Sequence, residues 1–347
     1  MVAGDQPATM LTVKKRFMYK SFTKIAFLLT GMLACLSAYS QQDVQFSQYM
    51  FNGLFINPAY AGYKQDVYLY AFYRSQWTGL EGAPQSFSAS LDGSVSDSKI
   101  GLGLLVANDR IGAQSATSAY ANYAYRLQLG DDPTSRLSFG IGAGFSQAGL
   151  DGTKLNPVQY GDPNVPTGYQ SAILADARLG VLYTDNKVFV GASVDNLLSS
   201  ALAKKSVDKA VSVPVPIPHY YFTTGIYLPV NEDVLLRPSI MLKDDRGGPT
   251  SLDLNTFVLL SERIWVGGTY RTAVKLYNKP NLQNNLEQAN ALVGMVQFFV
   301  NEKLRVGYSF DYSLTPLANY NYGTHEISIG IYLKEGKLKS INQKCYY

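Results

Sequence analysis

The feature that most constrains this chain is an alternation of apolar and polar residues with period 2, repeated in segment after segment of roughly ten residues. In KLRVGYSFDYS, Leu304, Val306, Tyr308, Phe310 and Tyr312 form one face, and Lys303, Arg305, Gly307, Ser309 and Asp311 the other. RLSFGIGAGFS sets Leu137, Phe139, Ile141, Ala143 and Phe145 against Ser138, Gly140, Gly142, Gly144 and Ser146. HEISIGIYL sets Ile327, Ile329, Ile331 and Leu333 against Glu326, Ser328, Gly330 and Tyr332. Side chains alternate across a strand, so each segment is a strand with one apolar and one polar face.

About fourteen such segments follow one another, most of them about 9–13 residues long, which a tilted strand needs to cross a bilayer. They fall near 67–77, 85–94, 100–108, 115–128, 135–147, 170–184, 187–196, 219–229, 233–243, 250–260, 263–273, 289–300, 303–313 and 325–334. Short turns rich in Asp, Asn and Ser lie at 96–99, 131–134, 185–186, 231–233, 261–262 and 301–302. Between them lie the connections 148–169, 197–218, 274–288 and 314–324, with shorter ones near 78–84, 109–114 and 244–249. Short and long connections alternate, as they do in an outer-membrane barrel with tight periplasmic turns and longer outer loops. The expected fold is all-β: a transmembrane, antiparallel outer-membrane barrel over 67–334, with both termini on the periplasmic side. A large soluble β-sandwich also gives alternation. It accounts less well for the regular short–long rhythm and for 26 Tyr beside only 16% charged residues. Tyr near strand ends suits an interfacial girdle.

Residues 1–40 read as an export leader. Lys20 and Lys24 precede the apolar run Ile25–Leu36, and Ala38-Tyr39-Ser40 places small residues for cleavage before Gln41. Met18 offers an alternative start, which makes 1–17 a possible extension. Cys35 as a lipidated cysteine is a rival reading that Met32 and Leu33 match poorly. The leader holds five of the 30 basic residues and one of the 26 acidic ones, so 25 of each remain and the formal charge of +4 belongs to the leader. The chain therefore carries no electrostatic argument for nucleic acid. Without Cys35 a single cysteine, Cys345, remains, within a periplasmic tail expected over 335–347.

Chemistry is sparse. The two His residues, His219 and His325, sit at strand starts, and no Ser-His-Asp or Cys-His signature is spelled out. The Gly-rich pieces Gly101–Val106 and Gly140–Phe145 are not followed by helices, so they are not phosphate loops. Asp92, Asp176, Asp195, Asp253 and Asp311 fall on polar faces or strand ends, where solvation or pairing with Arg126, Arg178, Arg237, Arg271 or Arg305 is expected. Lys275–Gln288 is polar and Asn-rich, as a solvated loop is. No enzyme, cofactor or metal is expected.

Between leader and first strand lies QFSQYMFNGLFINPAYAG, Gln45–Gly62, aromatic, nearly uncharged, and neither helical nor strand-like in pattern. An aromatic segment left loose in water is poorly solvated. The 41–66 region is therefore expected to be ordered, with Phe46, Tyr49, Phe51 and Phe55 packed into the periplasmic mouth as a plug or onto a partner, and Asn57-Pro58 turning the chain towards the first strand.

Gln42–Tyr63 resembles the mature start of the PorP/SprF family of type IX secretion system membrane proteins, found in Bacteroidetes. Tyr73–Gly93 is similar to that family's Tyr-Arg-x-Gln-Trp-x-Gly-x-x-Gly-Ala-Pro block, and Asn108–Leu129 and Tyr320–Leu333 extend the likeness. The ending Lys344-Cys345-Tyr346-Tyr347 lacks the family's frequent Cys-Pro-Arg, and Gly53 stands where another residue is usual. The resemblance implies a non-enzymatic outer-membrane barrel that docks or attaches secreted adhesins of the gliding-motility type, bearing a C-terminal type IX signal, or that meets the periplasmic ring of lipoprotein and partner protein. Its candidate partner-binding residues are Phe46, Tyr49, Phe51, Phe55, Asn57, Pro58, Tyr60, Arg74, Gln76 and Trp77. The alternative is a passive porin or solute transporter, for which charged lumen faces are also suited.

Overall fold

Alternating segments can bury one face and leave the other to a different solvent, and closing the sheet removes the unpaired edges. The computed structural model describes residues 45–95, 99–132, 134–156, 165–206, 216–279, 282 and 289–333. The leader, the tail with Cys345 and most of the Asn-rich 280–288 stretch lie outside the described residues. The described residues form β1 (Tyr68–Ser75), β2 (Gln85–Val95), β3 (Ile100–Ile111), β4 (Gln114–Gln128), β5 (Arg136–Asp151), β6 (Tyr169–Thr184) and β7 (Val188–Asp195). They continue with β8 (His219–Ile226), β9 (Val234–Asp244), β10 (Thr250–Leu260), β11 (Ile264–Val274), β12 (Ala289–Phe299), β13 (Leu304–Ser313) and β14 (Thr324–Tyr332). Leu228–Pro229 prolongs β8 past a break at Tyr227 and pairs with Leu235 and Leu236.

Every strand pairs antiparallel with its sequence neighbour, and β1 returns to β14 in the register Tyr68↔Tyr332 to Ser75↔His325. The result is a closed antiparallel barrel of fourteen strands among the described residues. The connections 96–99, 129–135, 185–187, 230–233, 261–263 and 300–303 share one end, the short-turn end. The other, long-loop end carries 76–84, 112–113, 152–168, 196–218, 245–249, 275–288 and 314–323. The connection expected over 109–114 shrinks to two residues, because β3 and β4 pair as far as Ile111↔Gln114. The 196–218 connection contains α1 (Ser199–Ser206), whose start is held where Asp176 accepts the Leu198 and Ser199 N–H groups at 3.0 Å each.

Short turns close on their own side chains. Asp185 accepts from the N–H groups of Lys187 and Val188, and Asn301 from those of Lys303 and Leu304. Asp132 accepts from Thr134 Oγ1 at 2.7 Å and Thr134 N at 2.8 Å, which holds its carboxyl below the usual range.

Polarity is inverted relative to a water-soluble protein. Leu102, Leu104, Phe139, Ile141, Ile327 and Ile329 are exposed on the outer wall, while Ser88, Ser138, Asp253, Ser309, Glu326 and Ser328 are buried inside. Apolar-out and polar-in along the same strand is the pattern of a barrel whose outer solvent is lipid. No described helix is long and apolar enough to cross a membrane. β1 departs from the pattern, since its inward residues Tyr68, Tyr70 and Phe72 are aromatic. The segment that precedes it gives the reason.

Candidate functional site

That segment, Gln45–Tyr63, lies inside the barrel. Three single turns of 3₁₀ helix, Tyr49–Phe51, Gly53–Phe55 and Pro58–Tyr60, fold it into a compact body. Asn57 caps the third turn: its Oδ1 accepts from Ala59 N at 2.8 Å, and Pro58 at the first position has no N–H to satisfy. The same Asn57 side chain donates to the carbonyls of Val181 and Ala192, 3.0 and 3.3 Å away on β6 and β7. Sequence reasoning read Asn57-Pro58 as a turn and as candidate partner-binding residues. The side chain also fixes the segment to the wall.

Contacts of this kind run around the circumference. Ser47 N and Gln48 N donate to Glu326 of β14, both at 2.8 Å, and Ser47 Oγ donates to Asp311 of β13 at 2.7 and 2.9 Å. Asn52 donates to Ser90 of β2 at 2.8 Å, and Tyr49 OH accepts from Asn255 of β10 at 2.9 Å. Arg178 of β6 donates to the carbonyls of Leu54 and Phe55 at 3.2 and 2.7 Å, and Ser193 of β7 to that of Ile56. Arg126 of β4 donates to Ala61 O, and Gly62 N donates to Asp92 of β2 at 2.8 Å. Gly62 sits at φ 61°, where the chain leaves the lumen for β1. A Cβ at Gly101 of β3 would fall on the Ala61 carbonyl, so this wall position admits the segment's backbone only without a side chain.

The aromatic residues complete the fit. Phe46 stacks on Phe72 at 4.6 Å and meets Phe55 edge-on at 4.9 Å, so the inward aromatics of β1 are the lining of this contact. Phe51 packs against Phe257 and Trp265, 6.3 and 6.0 Å away between centroids. Tyr60 lies over Gly53, where a Cβ would collide with its ring. Phe46, Tyr49, Phe51, Phe55, Asn57, Pro58 and Tyr60 are all buried. The segment does not simply cap one mouth. It begins with Gln45 at the long-loop end and descends to Gly62 beside the short-turn ends of β2 and β4, because the polar lumen offers hydrogen-bond partners along its height.

The lumenal charges pair largely as their residue types imply. Arg178 and Asp195 approach to 2.8 Å and Arg271 and Asp253 to 2.9 Å, while Asp311 is shared by Arg74 at 2.7 Å and Arg271 at 3.4 Å. Asp176 instead accepts from Tyr120 OH at 2.6 Å, and Arg305 donates to Tyr332 OH at 2.8 Å. Glu326, fully buried, also holds Arg74 at 3.1 Å. His219 and His325 meet a backbone carbonyl and the Tyr308 hydroxyl, at 2.8 and 2.7 Å.

Above the segment, the long-loop mouth keeps an open cavity of about 220 Å³. Arg74, Gln76 and Trp77 line it, so these three expected site residues come together there, apart from the seven in the lumen. Arg74 belongs to both regions, since its NH1 also donates to Ser47 Oγ at 3.0 Å. Trp77 has φ 50°, a strained backbone for a bulky residue and one that clusters at functional sites. Its backbone N–H donates to Thr324 Oγ1 at 3.1 Å, while Tyr322 N donates to Thr78 O and Thr78 N to Gly323 O, bonds that lace the 76–84 connection to the 314–323 connection. Tyr320 and Tyr322 stand out from this rim, 70% and 80% exposed. Sequence reasoning missed Lys243, Asp245 and Ser251, which line the cavity from the far wall. They fall where strand alternation ends, so no periodicity marked them.

A polar lumen filled by the chain's own aromatic segment, inside an apolar-faced closed barrel, defines an outer-membrane barrel built around an internal plug. The family model for the type IX secretion system membrane protein PorP/SprF matches residues 38–331, and the chain belongs to that family. The family is one of secretion-system membrane barrels and not an enzyme family. No curated protein matches the chain significantly. Among solved structures the chain is similar to the outer membrane protein Omp33 of Acinetobacter baumannii, at 10% identity and TM-score 0.43, over 78% of this chain and 99% of that one. It is similar to the CymD monoaromatic hydrocarbon channel at 11% identity and TM-score 0.48, over 81% and 92%. A FadL homologue of Pseudomonas aeruginosa gives 9% identity and TM-score 0.44, over 81% and 94%. These distant likenesses carry nothing about function.

Proposed function

We propose that this outer-membrane barrel is a docking component of the type IX apparatus, holding a secreted adhesin with a C-terminal type IX signal at its long-loop mouth and meeting the periplasmic lipoprotein ring at its short-turn end. The long-loop end faces outward in this reading, as longer loops do in such barrels. The observation that carries it is the division of the interior. The lumen is occupied by Gln45–Gly62, so the polar mouth with Arg74, Gln76 and Trp77 is a surface on which something can rest. The seven lumenal residues then act by holding that floor in place, and the three mouth residues act by contact. A passive porin needs an open path, and a segment bonded to strands around the circumference speaks against one.

Co-purification from native outer membranes tests the proposal. Recovery of the barrel with an adhesin or a type IX component is expected, and repeated recovery of the barrel alone sinks it. In planar bilayers the intact chain is expected to be silent; a steady open pore of defined size returns the porin reading.

A further inference from the structure

The cavity at the long-loop mouth has unmet hydrogen-bonding capacity of one kind. Its two carboxylates already take donors: Asp311 takes Ser47 Oγ, Arg74 and Arg271, and Asp245 Oδ1 takes the N–H groups of Gly247 and Gly248 at 2.9 and 2.7 Å. Three donors are left over. Arg74 is only 3% exposed, yet its Nε has no partner, and the buried Gln45 Nε2 and Ser251 Oγ have none either. Buried donors without acceptors are uncommon and need an explanation.

The charge of the lining itself leans the same way. The lining holds Arg74, Lys243 and Arg271 against Asp245 and Asp311, an excess of one positive charge. Glu326 and Asp253 lie one layer deeper, where they hold Arg74 and Arg271 in position. The volume of about 220 Å³ is below the ~300 Å³ of the smallest drug-sized pockets. It suits the end of a chain or one acidic side chain better than a larger ligand. Trp77 supplies an apolar wall for the aliphatic part.

We propose that this cavity binds a peptide carboxylate, either a chain terminus or an Asp or Glu side chain, through Ser251 Oγ, Gln45 Nε2 and the Arg74 and Lys243 cations. The proposal rests on the docking reading and names the chemistry that the docked polypeptide presents.

The test uses the purified full chain in detergent and reads fluorescence, since Trp77 in the cavity is one of only two tryptophans and the other, Trp265, is buried in the lumen. Three probes are titrated to about 10 mM, a range that reveals even weak sites: acetyl-triglycine with a free carboxylate, the same peptide as its amide, and an amide-ended acetyl-Gly-Asp-Gly. A saturable response to the free-carboxylate peptide alone assigns a chain terminus, and a response to both acidic peptides assigns any carboxylate. Lys243→Gln and Ser251→Ala are each expected to weaken the response about fivefold or more while the barrel still forms, a loss within reach of one charged hydrogen bond. Equal response to the amide, or none to any probe, overturns the proposal. Failure of the two readings is separable: a carboxylate response with no co-purified secretion partner sinks docking and keeps the site, and the converse sinks the site and keeps docking.

Discussion

The lower lumen and the long-loop mouth are lined by the same residue types, and the two regions end in opposite states. In the lumen, Glu326, Arg178, Arg126 and Asp92 each take a backbone group of Gln45–Gly62. At the mouth, Arg74, Gln45 and Ser251 keep donors with no partner. The lumen is therefore finished by its own chain, save for groups such as Tyr68 OH and Ser309 Oγ that also lack partners there, and the mouth, whose unpartnered donors border an open cavity, is left for something else. A charge buried in low-dielectric surroundings demands a partner, so the finished half serves stability and the unfinished half is where function is to be sought.

The largest blow to this contrast is deletion of 45–62. It strips partners from several buried charges at once, and breaking even one such pair costs about 3–5 kcal/mol. The expected outcome is loss of the assembled, heat-modifiable barrel on gels, or, where some barrel survives, an open conductance in planar bilayers. A deletion variant as stable as the parent and electrically silent removes the idea that the segment completes the lumen. Next in size is Glu326→Ala, which removes one of the two carboxylates that hold Arg74 and the acceptor of two backbone N–H groups. A loss of about 3–5 kcal/mol in urea unfolding is expected. Glu326→Gln keeps one acceptor oxygen and is expected to lose less. If both variants unfold like the parent, the segment's start is not anchored there.

Much of this architecture is legible in the sequence, because strand alternation is a local property that lipid outside and polar groups inside enforce residue by residue. The strands at 303–313 and 325–334 are within a residue or two of β13 and β14 for that reason. The pairing of Arg271 with Asp253 was foreseeable from two polar-face positions on neighbouring strands. What alternation does not carry is the path of Gln45–Gly62. That path depends on wall residues far away in the chain, such as Glu326 and Asn255, whose role is set by three-dimensional closure. The inward Tyr68, Tyr70 and Phe72 hinted at it, since aromatics on a lumen face require an aromatic neighbour. Lys243 and Asp245 were invisible because strand ends have no period to break.

Gly101→Val refines the contrast within the lumen itself. Its added carbon would meet the Ala61 carbonyl, and a backbone group tied to Arg126 cannot simply swing aside. Overpacking of this sort costs about 1–3 kcal/mol. The expected result is a barrel that folds with a loosened lower segment, seen as a lower urea midpoint and faster amide exchange over 59–62. Unchanged exchange there means that the wall yields, and that the fit between Gly101 and the segment is less demanding than the geometry implies.

The smallest effect on stability is expected where the largest effect on function is expected, at the mouth. Tyr322 is 80% exposed, and surface changes of its kind shift stability by about 0.5 kcal/mol or less. Trp77 is half-buried, but its replacement by glycine, which adopts φ 50° without strain, relieves the backbone as well as removing contact. Trp77→Gly together with Tyr322→Ser should therefore leave the urea midpoint close to the parent's. If the mouth is the docking surface, the same pair should cut recovery of the secretion partner about tenfold, which corresponds to a loss of about 1.4 kcal/mol in binding. Aromatic anchors at the centre of an interface commonly carry that much. A variant with parental stability and parental partner recovery would move the docking surface away from the 76–84 and 314–323 connections. A variant that unfolds would show that the mouth, like the lumen beneath it, is part of what holds the barrel together.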